Sequence, residues 1–217
     1  MNILCFGDSN TFGYNPTNGL RYDKNTRWTG VLQNLLGDNF NVIEEGLNGR
    51  TTIFDEPYFP GRCGIDDIVP YLDLHKPIDL LIVMLGTNDT KEIFHANSDD
   101  ITKGLEILVR KAMSASYDFR DSKPNVLIVA PVPIKSEVIY TPWASDMGLD
   151  CVRKSLELAD KYEKLADDLG CHFFDAAACV FACKLDSIHL DEDTHSTFAY
   201  KLYKVIFKIF SNKYFSL

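Results

Sequence analysis

The sequence predicts an α/β fold in which a parallel β-sheet lies between two layers of helices. Three observations support this fold class. Strand-like and helix-like segments alternate along the chain, as is typical of parallel sheets with helices on both faces. Most strand candidates are short apolar runs, which suits strands buried on both faces. Finally, 217 residues without a linker, a repeat or a low-complexity segment fit one domain that spans residues 1–217.

Five segments are predicted to form the strands of this sheet. In chain order they are Asn2–Gly7, Asn41–Glu45, Ile78–Leu85, Asn125–Val132 and His172–Asp175. Each is bounded by polar or glycine-bearing segments, and the helices are expected in the intervals between them and after the last one.

Three helical patterns are clearest in the second half of the chain. The first has Ser98 and two aspartates as its N-terminal signal. The second extends from Ser145 to Leu169, and Gly170 closes it. The last helix of the chain carries apolar residues on one side, at Phe198, Leu202, Val205, Ile206 and Ile209. The longest irregular stretches are Tyr14–Thr26, Phe54–Gly64 and Pro133–Trp143, and loops of this length are usually functional.

Composition excludes several classes of function. The net charge of −9 argues against a nucleic-acid partner, because phosphate binding needs clustered Lys and Arg. The longest apolar run, Leu80–Leu85, is far too short to span a membrane. Met1 leads almost at once into the first predicted strand, so we expect no secretory signal and a cytoplasmic protein. A small molecule is the expected partner.

The cysteines do not form the framework of a disulfide-rich secreted protein. Cys171, His172, Cys179 and Cys183 allow a zinc site as one interpretation. Reduced, packed cysteines are the favoured interpretation, with Cys171 opening a buried strand and Cys179 and Cys183 one helical turn apart. We therefore expect neither a metal nor a cofactor.

Small polar residues follow the predicted strands. The segments are Gly7–Asn10, Gly46–Thr51, Gly86–Asp89 and, after the last strand, Asp186–His189. In an open α/β sheet, ligands bind beyond the carboxyl ends of the strands, so these segments are expected to meet in one crevice. Together they supply a serine, a base, a carboxylate and hydrogen-bond donors, which are the requirements of acyl transfer.

The base must come from one of five histidines. His75 and His95 lie in polar, exposed surroundings, and His172 begins a strand. This leaves His189 and His195, which lie in a late loop before the last helix.

With these residues in order, the chain resembles the SGNH hydrolases, also called GDSL esterases or lipases. The resemblance covers essentially the whole chain, because its four blocks fall in order: Gly7-Asp8-Ser9, Gly49, Gly86-Thr87-Asn88-Asp89 and Asp186-x-x-His189. It is closest to the arylesterase/acyltransferase branch, which the segments 27–32, 42–47 and 84–91 resemble. Two residues depart from the family pattern: Ser187 replaces a common glycine, and Asn10 replaces a Leu or Ile.

The resemblance implies a three-layer α/β/α, flavodoxin-like fold with a five-stranded parallel sheet, and it implies a role for each block. Ser9 would be the nucleophile, His189 the general base and then acid, and Asp186 the carboxylate that orients it. The backbone N–H groups of Ser9 and Gly49 and the side-chain amide of Asn88 would form the oxyanion hole. His195 is then interpreted as a residue that supports the site or begins the last helix.

Other polar residues near these segments have two interpretations. Asn10, Asn48 and Trp143 are predicted to contact substrate. Arg50, Arg62 and Lys91 could also anchor substrate, but salt bridges to Glu44, Glu45 or Asp55 are the favoured interpretation. The acidic run Asp191–Asp193 is expected to stabilise the start of a helix through its dipole rather than to bind metal.

The predicted function is hydrolysis of small carboxylic esters, with acetyl or short acyl groups, through an acyl-enzyme on Ser9. Alternatives with the same site are an acyltransferase or perhydrolase and a carbohydrate O-acetylesterase. A non-catalytic binding protein on a hydrolase scaffold is an alternative of another class. The sequence has no Gly-x-Ser-x-Gly segment, which disfavours the classical α/β-hydrolases. Members of the resembled branch are often oligomers, so a homo-oligomer is one expectation.

Overall fold

The sheet has five parallel strands in the order β2-β1-β3-β4-β5. This computed structural model describes residues 1–214, with side chains described for residues 1–211. The order confirms the predicted flavodoxin-like sheet, because the chain begins at an inner strand, moves to the nearer edge and then crosses to the other side. The strands are β1 (Asn2–Gly7), β2 (Asn41–Gly46), β3 (Leu80–Met84), β4 (Val126–Ala130) and β5 (His172–Asp175).

The predicted strands agree with these bounds except that β2 ends one residue later, at Gly46, and that β3 and β4 are shorter at both ends. Ile78, predicted to begin β3, instead forms an isolated parallel bridge with Phe119. The inner strands β3 and β4 are buried along their whole length. β2 and β5 are only partly buried because they lie at the sheet edges.

Seven helices cover the sheet within the described part of the chain. Helices α3, α4 and α6 pack together, whereas α2 packs against α7. The two groups correspond to two apolar clusters: Leu4 and Phe6 of β1 belong to one, and Ile3 and Cys5 to the other. This alternation follows from the two-residue period of a strand. The helices are α1 (Ser9–Phe12), α2 (Trp28–Leu36), α3 (Gly64–His75), α4 (Ser98–Ser114), α5 (Ala144–Met147), α6 (Cys151–Leu169) and α7 (Glu192–Tyr214).

The start of α4 differs by one residue from the sequence interpretation. The N-cap is Asn97, whose side-chain oxygen accepts hydrogen bonds from the backbone N–H groups of Asp99 (2.8 Å) and Asp100 (3.0 Å). The Asp100 carboxylate accepts in return from the Asn97 N–H at 3.0 Å. This capping box satisfies N–H groups that a helix start leaves open, so Ser98 is already inside the helix.

The predicted helix from Ser145 to Leu169 is two helices. Gly148 ends α5 with a φ of +73°, and α6 begins three residues later. A Cβ at Gly148 would lie 2.8 Å from the Cβ of Glu92. The break is therefore fixed by a close contact with a distant loop, which composition does not reveal.

The cysteine interpretation needs one correction. Cys179 and Cys183 do not share a helix: Cys179 follows a short 3₁₀ turn, and Cys183 lies in a loop. Cys171 is half-buried beside the edge strand β5. All six thiols are free, and no group of three or more His, Cys, Asp or Glu within residues 1–214 is arranged to hold a metal ion. None of the helices described is both long and apolar enough to cross a membrane.

Candidate active site

Ser9 is the first residue of α1 and lies at the carboxyl end of the inner strand β1. The turn that carries it is closed by Asp8, whose carboxylate accepts a hydrogen bond from the Asn10 N–H at 2.9 Å. Gly7 is needed for close packing here, because a Cβ at this position would lie 2.1 Å from the Thr11 hydroxyl oxygen. The turn therefore holds Ser9 in a fixed place at the edge of the sheet.

Ser9, His189 and Asp186 form a continuous chain of hydrogen bonds. The Oγ of Ser9 lies 2.9 Å from His189 Nε2, and His189 Nδ1 lies 2.5 Å from Asp186 Oδ2. An ionised carboxylate can only accept, so Nδ1 of His189 carries the hydrogen and Nε2 presents its lone pair to the serine hydroxyl. This is the arrangement in which a histidine can remove a proton from serine.

Asp186 is held as a carboxylate by its surroundings. Its Oδ1 accepts the backbone N–H groups of Ile188 and His189, each at 3.0 Å, and the Cys183 thiol lies 3.2 Å away. Burial alone raises the pKa of Asp186, but the hydrogen bonds and charge of His189 outweigh it and lower the pKa to about 2. Asp186 therefore stays ionised at any pH at which the protein would work.

The loop that carries these two residues includes a departure from the family pattern. Ser187, where glycine is common, adopts a φ of +69° and is fully buried. A positive φ costs a non-glycine residue about 1–2 kcal/mol. The backbone of this loop thus has the conformation that glycine would favour, and the Asp186–His189 hydrogen bond forms with serine at this position.

Two further backbone turns bring hydrogen-bond donors towards Ser9. Gly49 has a φ of +81° and lines the same cavity as Ser9 and His189. Asn88, in a short 3₁₀ turn after β3, donates one amide hydrogen to the Arg50 carbonyl oxygen at 3.1 Å. A primary amide has a second hydrogen, and Asn88 also lines the cavity. The residues predicted for the oxyanion hole are thus brought to one place.

Buried polar contacts fix these turns to each other. The Asp89 carboxylate accepts a hydrogen bond from the Thr52 N–H at 2.8 Å, which ties the Asn88 turn to the Gly49 loop. Burial raises the pKa of Asp89 to about 6, and burial likewise raises the pKa of Asp8 to about 6. The site therefore rests on two carboxyl groups whose ionisation is costly.

Arg50 is a structural residue of the same region. Its guanidinium is fully buried, donates to the carbonyl oxygen of Gly7 at 3.0 Å and pairs with Asp67 at 3.1 Å. It also lies over the ring of Phe6, 4.1 Å from the centroid. The expected salt bridge to Glu44, Glu45 or Asp55 was wrong in its partner, since Asp67 comes from the following helix.

The cavity beside Ser9 has a volume of about 200 Å³. One part is aromatic: the rings of Tyr14 and Trp143 lie 4.4 and 6.0 Å from the His189 ring, centroid to centroid. Another part is charged. The lining residues are Ser9, Tyr14, Asn48, Gly49, Glu56, Phe59, Arg62, Asn88, Lys91, Trp143, Asp146, Met147, Ile188 and His189.

The charged part is built around a buried ammonium group. Lys91 Nζ lies 2.8 Å from Glu56 and 3.0 Å from Asp146. Lys91 and Glu56 are both buried, whereas Asp146 is partly exposed. The predicted partners of Lys91 were therefore wrong as well, because Glu56 lies in a loop and Asp146 in the short helix α5, and the placement of both depends on the tertiary fold.

Of the three residues predicted to contact substrate, Asn48 and Trp143 line the cavity and Asn10 is not among the described residues that do so. Asn10 is buried, and its side-chain oxygen accepts a hydrogen bond from the Leu190 N–H at 2.9 Å. Its side chain thus makes a structural contact between α1 and the loop that carries His189, and a contact of Asn10 with substrate stays a prediction. Tyr14 was not singled out, although its place five residues after Ser9 was a usable signal.

His195 is not among the residues that line the cavity. It is fully buried near the start of α7, where its Nδ1 accepts a hydrogen bond from the Trp28 N–H at 3.2 Å. Burial lowers the pKa of His195 to about 3, and the nearby His189 acts in the same direction. Asp191, just before α7, accepts a hydrogen bond from the Thr194 N–H at 3.0 Å, as expected for a carboxylate at a helix start.

Comparison with known proteins agrees with this geometry. Residues 5–197 match the GDSL-like lipase/acylhydrolase family. A carbohydrate acetylesterase from Sinorhizobium meliloti is 36% identical, with a TM-score of 0.89, over 96% of this chain and 99% of that one. The native aryl esterase of M. smegmatis is also 36% identical, with a TM-score of 0.87 and the same coverage.

A more distant structure shares the fold. A member of the lipolytic G-D-S-L family from Veillonella parvula is 23% identical, with a TM-score of 0.66, over 94% of this chain and 97% of that one. No curated protein sequence matches the chain.

Proposed function

Because the chain belongs to the GDSL-like lipase/acylhydrolase family and is a carboxylic ester hydrolase, we propose that it cleaves acetyl or short-acyl esters through an acyl-enzyme on Ser9. The observation that carries this proposal is the hydrogen-bond chain from Ser9 Oγ through His189 to Asp186, at 2.9 and 2.5 Å. A serine activated in this way is a nucleophile towards an ester carbonyl.

The first half of the reaction forms the acyl-enzyme. His189 Nε2 takes the proton of Ser9 as Oγ attacks the carbonyl carbon. The carbonyl oxygen becomes an oxyanion, which the N–H groups of Ser9 and Gly49 and the Asn88 amide stabilise. His189 then gives its proton to the leaving alcohol oxygen, and the carbon–oxygen bond of the ester breaks.

The second half releases the acid. A water molecule takes the place of the alcohol, loses a proton to His189 Nε2 and attacks the acyl carbon. The tetrahedral intermediate collapses when His189 returns the proton to Ser9 Oγ. Asp186 stays ionised throughout and stabilises the imidazolium that forms in each half. Its depressed pKa, about 2, supports this role.

The size of the cavity supports a small ester. Its volume of about 200 Å³ is below the range of about 300–1,000 Å³ typical of drug-sized ligands. An acetylated saccharide is the second candidate substrate, because the partly exposed carboxylate of Asp146 can accept hydrogen bonds from sugar hydroxyl groups. The similarity to a carbohydrate acetylesterase also favours this candidate.

Hydrolysis of 4-nitrophenyl acetate by Ser9→Ala and His189→Ala tests the mechanism. Each variant is expected to lose several orders of magnitude in kcat with an unchanged melting temperature. Ser114→Ala, at an exposed serine on α4, is the matched control. Undiminished turnover by Ser9→Ala would exclude the acyl-enzyme on Ser9. Labelling of Ser9 by an organophosphonate is a second, covalent readout.

A further inference from the structure

Among the residues that the structure describes, Arg62 differs from the other arginines because no carboxylate pairs with it. The sequence has seven arginines. Six of them form ion pairs: Arg21, Arg27, Arg50, Arg110, Arg120 and Arg153. Within the described residues, the Arg62 guanidinium has no carboxylate within 4.0 Å. Because a guanidinium is always charged and carries five N–H donors, its binding capacity here is unused by the protein.

The position of Arg62 places this unused charge at the active site. Its carbonyl oxygen accepts a hydrogen bond from the Thr51 N–H at 3.0 Å, and the next residue, Cys63, forms a parallel bridge with Thr51. The stem of the side chain passes Gly49: a Cβ there would lie 3.9 Å from Arg62 Cγ and 4.0 Å from Cδ. Arg62 thus lies beside a predicted oxyanion donor and lines the cavity that contains Ser9.

The two carboxylates of the cavity do not pair with Arg62. Glu56 and Asp146 both form ion pairs with Lys91 instead, which leaves the N–H donors of the guanidinium open to a ligand. Arg62 is only partly exposed, so its charge is less well screened than that of a solvated side chain. A guanidinium only donates hydrogen bonds, so a ligand group that binds Arg62 has to be an acceptor. A carboxylate suits this geometry best, because its two oxygens can accept two parallel N–H hydrogen bonds from the guanidinium.

We propose that Arg62 determines specificity for esters that carry a carboxylate, which it binds while Ser9 attacks the ester carbonyl. This inference rests on the proposed function of the site and adds to it the charge of the substrate. The carboxylate can belong to the acyl part or to the alcohol part of the ester, and the experiment distinguishes the two.

Two matched ester pairs provide the test, and each compares a carboxylate with its neutral carboxamide. For the alcohol part, 4-acetoxybenzoate is compared with 4-acetoxybenzamide. For the acyl part, monoethyl succinate is compared with ethyl succinamate. Acid release in a pH-stat gives kcat/KM for each ester. The measured quantity is the ratio of kcat/KM for the carboxylate ester to that for its carboxamide.

In Arg62→Gln this ratio is expected to fall about tenfold or more for one of the pairs, mainly through KM, because a charged hydrogen-bond partner is lost. Arg62→Lys keeps the charge and should recover part of the ratio. Higher ionic strength should lower the wild-type ratio for that pair. Arg110→Gln, which removes one charge from the exposed surface of α4, should change neither ratio.

Each outcome decides the proposal. A fall in one ratio assigns the carboxylate to that part of the substrate. Ratios that stay within twofold of wild type in Arg62→Gln for both pairs would show that Arg62 is a solvated side chain. If instead the wild type hydrolyses none of the four esters and no 4-nitrophenyl acetate, it is the proposed function that fails. Melting temperatures of all variants exclude a loss of folding.

Discussion

The side-chain oxygen of Asn10 accepts a hydrogen bond from the backbone N–H of Leu190 at 2.9 Å. Asn10 is the residue after Ser9, and Leu190 is the residue after His189, so this contact connects the two loops that carry the nucleophile and the base. Both residues are buried, and the Trp28 indole N–H donates to the Asn10 carbonyl oxygen at 2.9 Å. The separation of Ser9 and His189 therefore depends on a residue that departs from the family pattern.

Asn10→Leu should lower kcat about tenfold or more and change KM little. The leucine cannot accept the Leu190 N–H, and an unsatisfied buried N–H costs about 1–3 kcal/mol, so the loop with His189 should shift away from Ser9. Kinetics on 4-nitrophenyl acetate check this. Asn10→Asp keeps an acceptor oxygen and should recover part of kcat, while Asn34→Leu, the same substitution at an exposed position of α2, should have no effect. Full activity of Asn10→Leu would contradict a positioning role.

Asn88→Ala should reduce kcat by about 10²–10³ with little change in KM, as expected for the loss of one oxyanion donor. Asn88→Asp has nearly the same shape but replaces the donor with an acceptor, and it should be at least as impaired. Because Asn88 also donates to the Arg50 carbonyl oxygen at 3.1 Å, the melting temperature must be measured beside the rates. An Asn88→Asp variant with wild-type kcat would exclude the amide as a donor to the oxyanion.

The parts of the fold and the site that the sequence predicts are those encoded locally. The inner strands could be located because continuous apolar runs such as Leu80–Met84 are buried on both faces. The approach of Ser9 to His189 and Asp186 could be expected because parallel strands end at one edge. The capping signal before α4 was also local and was missed by one residue only, at Asn97.

The parts that could not be predicted depend on contacts between distant segments. Lys91 pairs with Glu56, which lies in a loop, and with Asp146 of the short helix α5, and neither segment has a pattern that points to Lys91. The hydrogen bond between the Asn10 side-chain oxygen and a backbone N–H 180 positions away was not predicted either. In both cases the residue type was compatible with several partners, and only the tertiary fold selected one of them.

Asp89→Asn should become more stable relative to the wild type as the pH rises from 4 to 6. The pKa of Asp89 is raised by burial from 3.8 to about 6, so the folded state keeps a proton that the unfolded state has released in this interval. The wild type therefore loses stability as the pH rises through 6, at a rate of up to about 1.4 kcal/mol per pH unit. Asparagine has no such proton. Urea unfolding at several pH values measures the difference, and a difference that is constant from pH 4 to 7 would contradict the prediction.

A pH dependence of opposite sign is expected from His195. Burial lowers the pKa of His195 from 6.5 to about 3, so the stability that its neutral form contributes is complete above pH 6.5 and is lost progressively as the pH falls towards 3. Its Nδ1 accepts the Trp28 N–H at 3.2 Å, and within the described residues its buried Nε2 has no hydrogen-bond partner. Protonation would therefore place a charge in the core, and the nearby Asp191 carboxylate, which favours that charge, does not offset the cost of burying it.

Between pH 6.5 and pH 5, the free energy of unfolding of His195→Asn should fall by up to about 2 kcal/mol less than that of the wild type. In the wild type, His195 takes up a proton in this interval in the unfolded state but not in the folded state, and asparagine takes up none in either. The asparagine oxygen can still accept the Trp28 N–H, but the ring contact with Tyr22, at 5.4 Å between centroids, is lost. The variant should therefore be less stable than the wild type at pH 8, and the difference should shrink as the pH falls.

Phe198→Leu, which weakens the packing of the same helix on Trp28 and keeps His195, is the matched control and should lower stability equally at every pH. Urea unfolding at pH 8, 6.5 and 5 measures the three slopes. Equal slopes in the wild type and His195→Asn would mean that His195 is already protonated in the folded protein at pH 5, and that its burial does not hold it neutral.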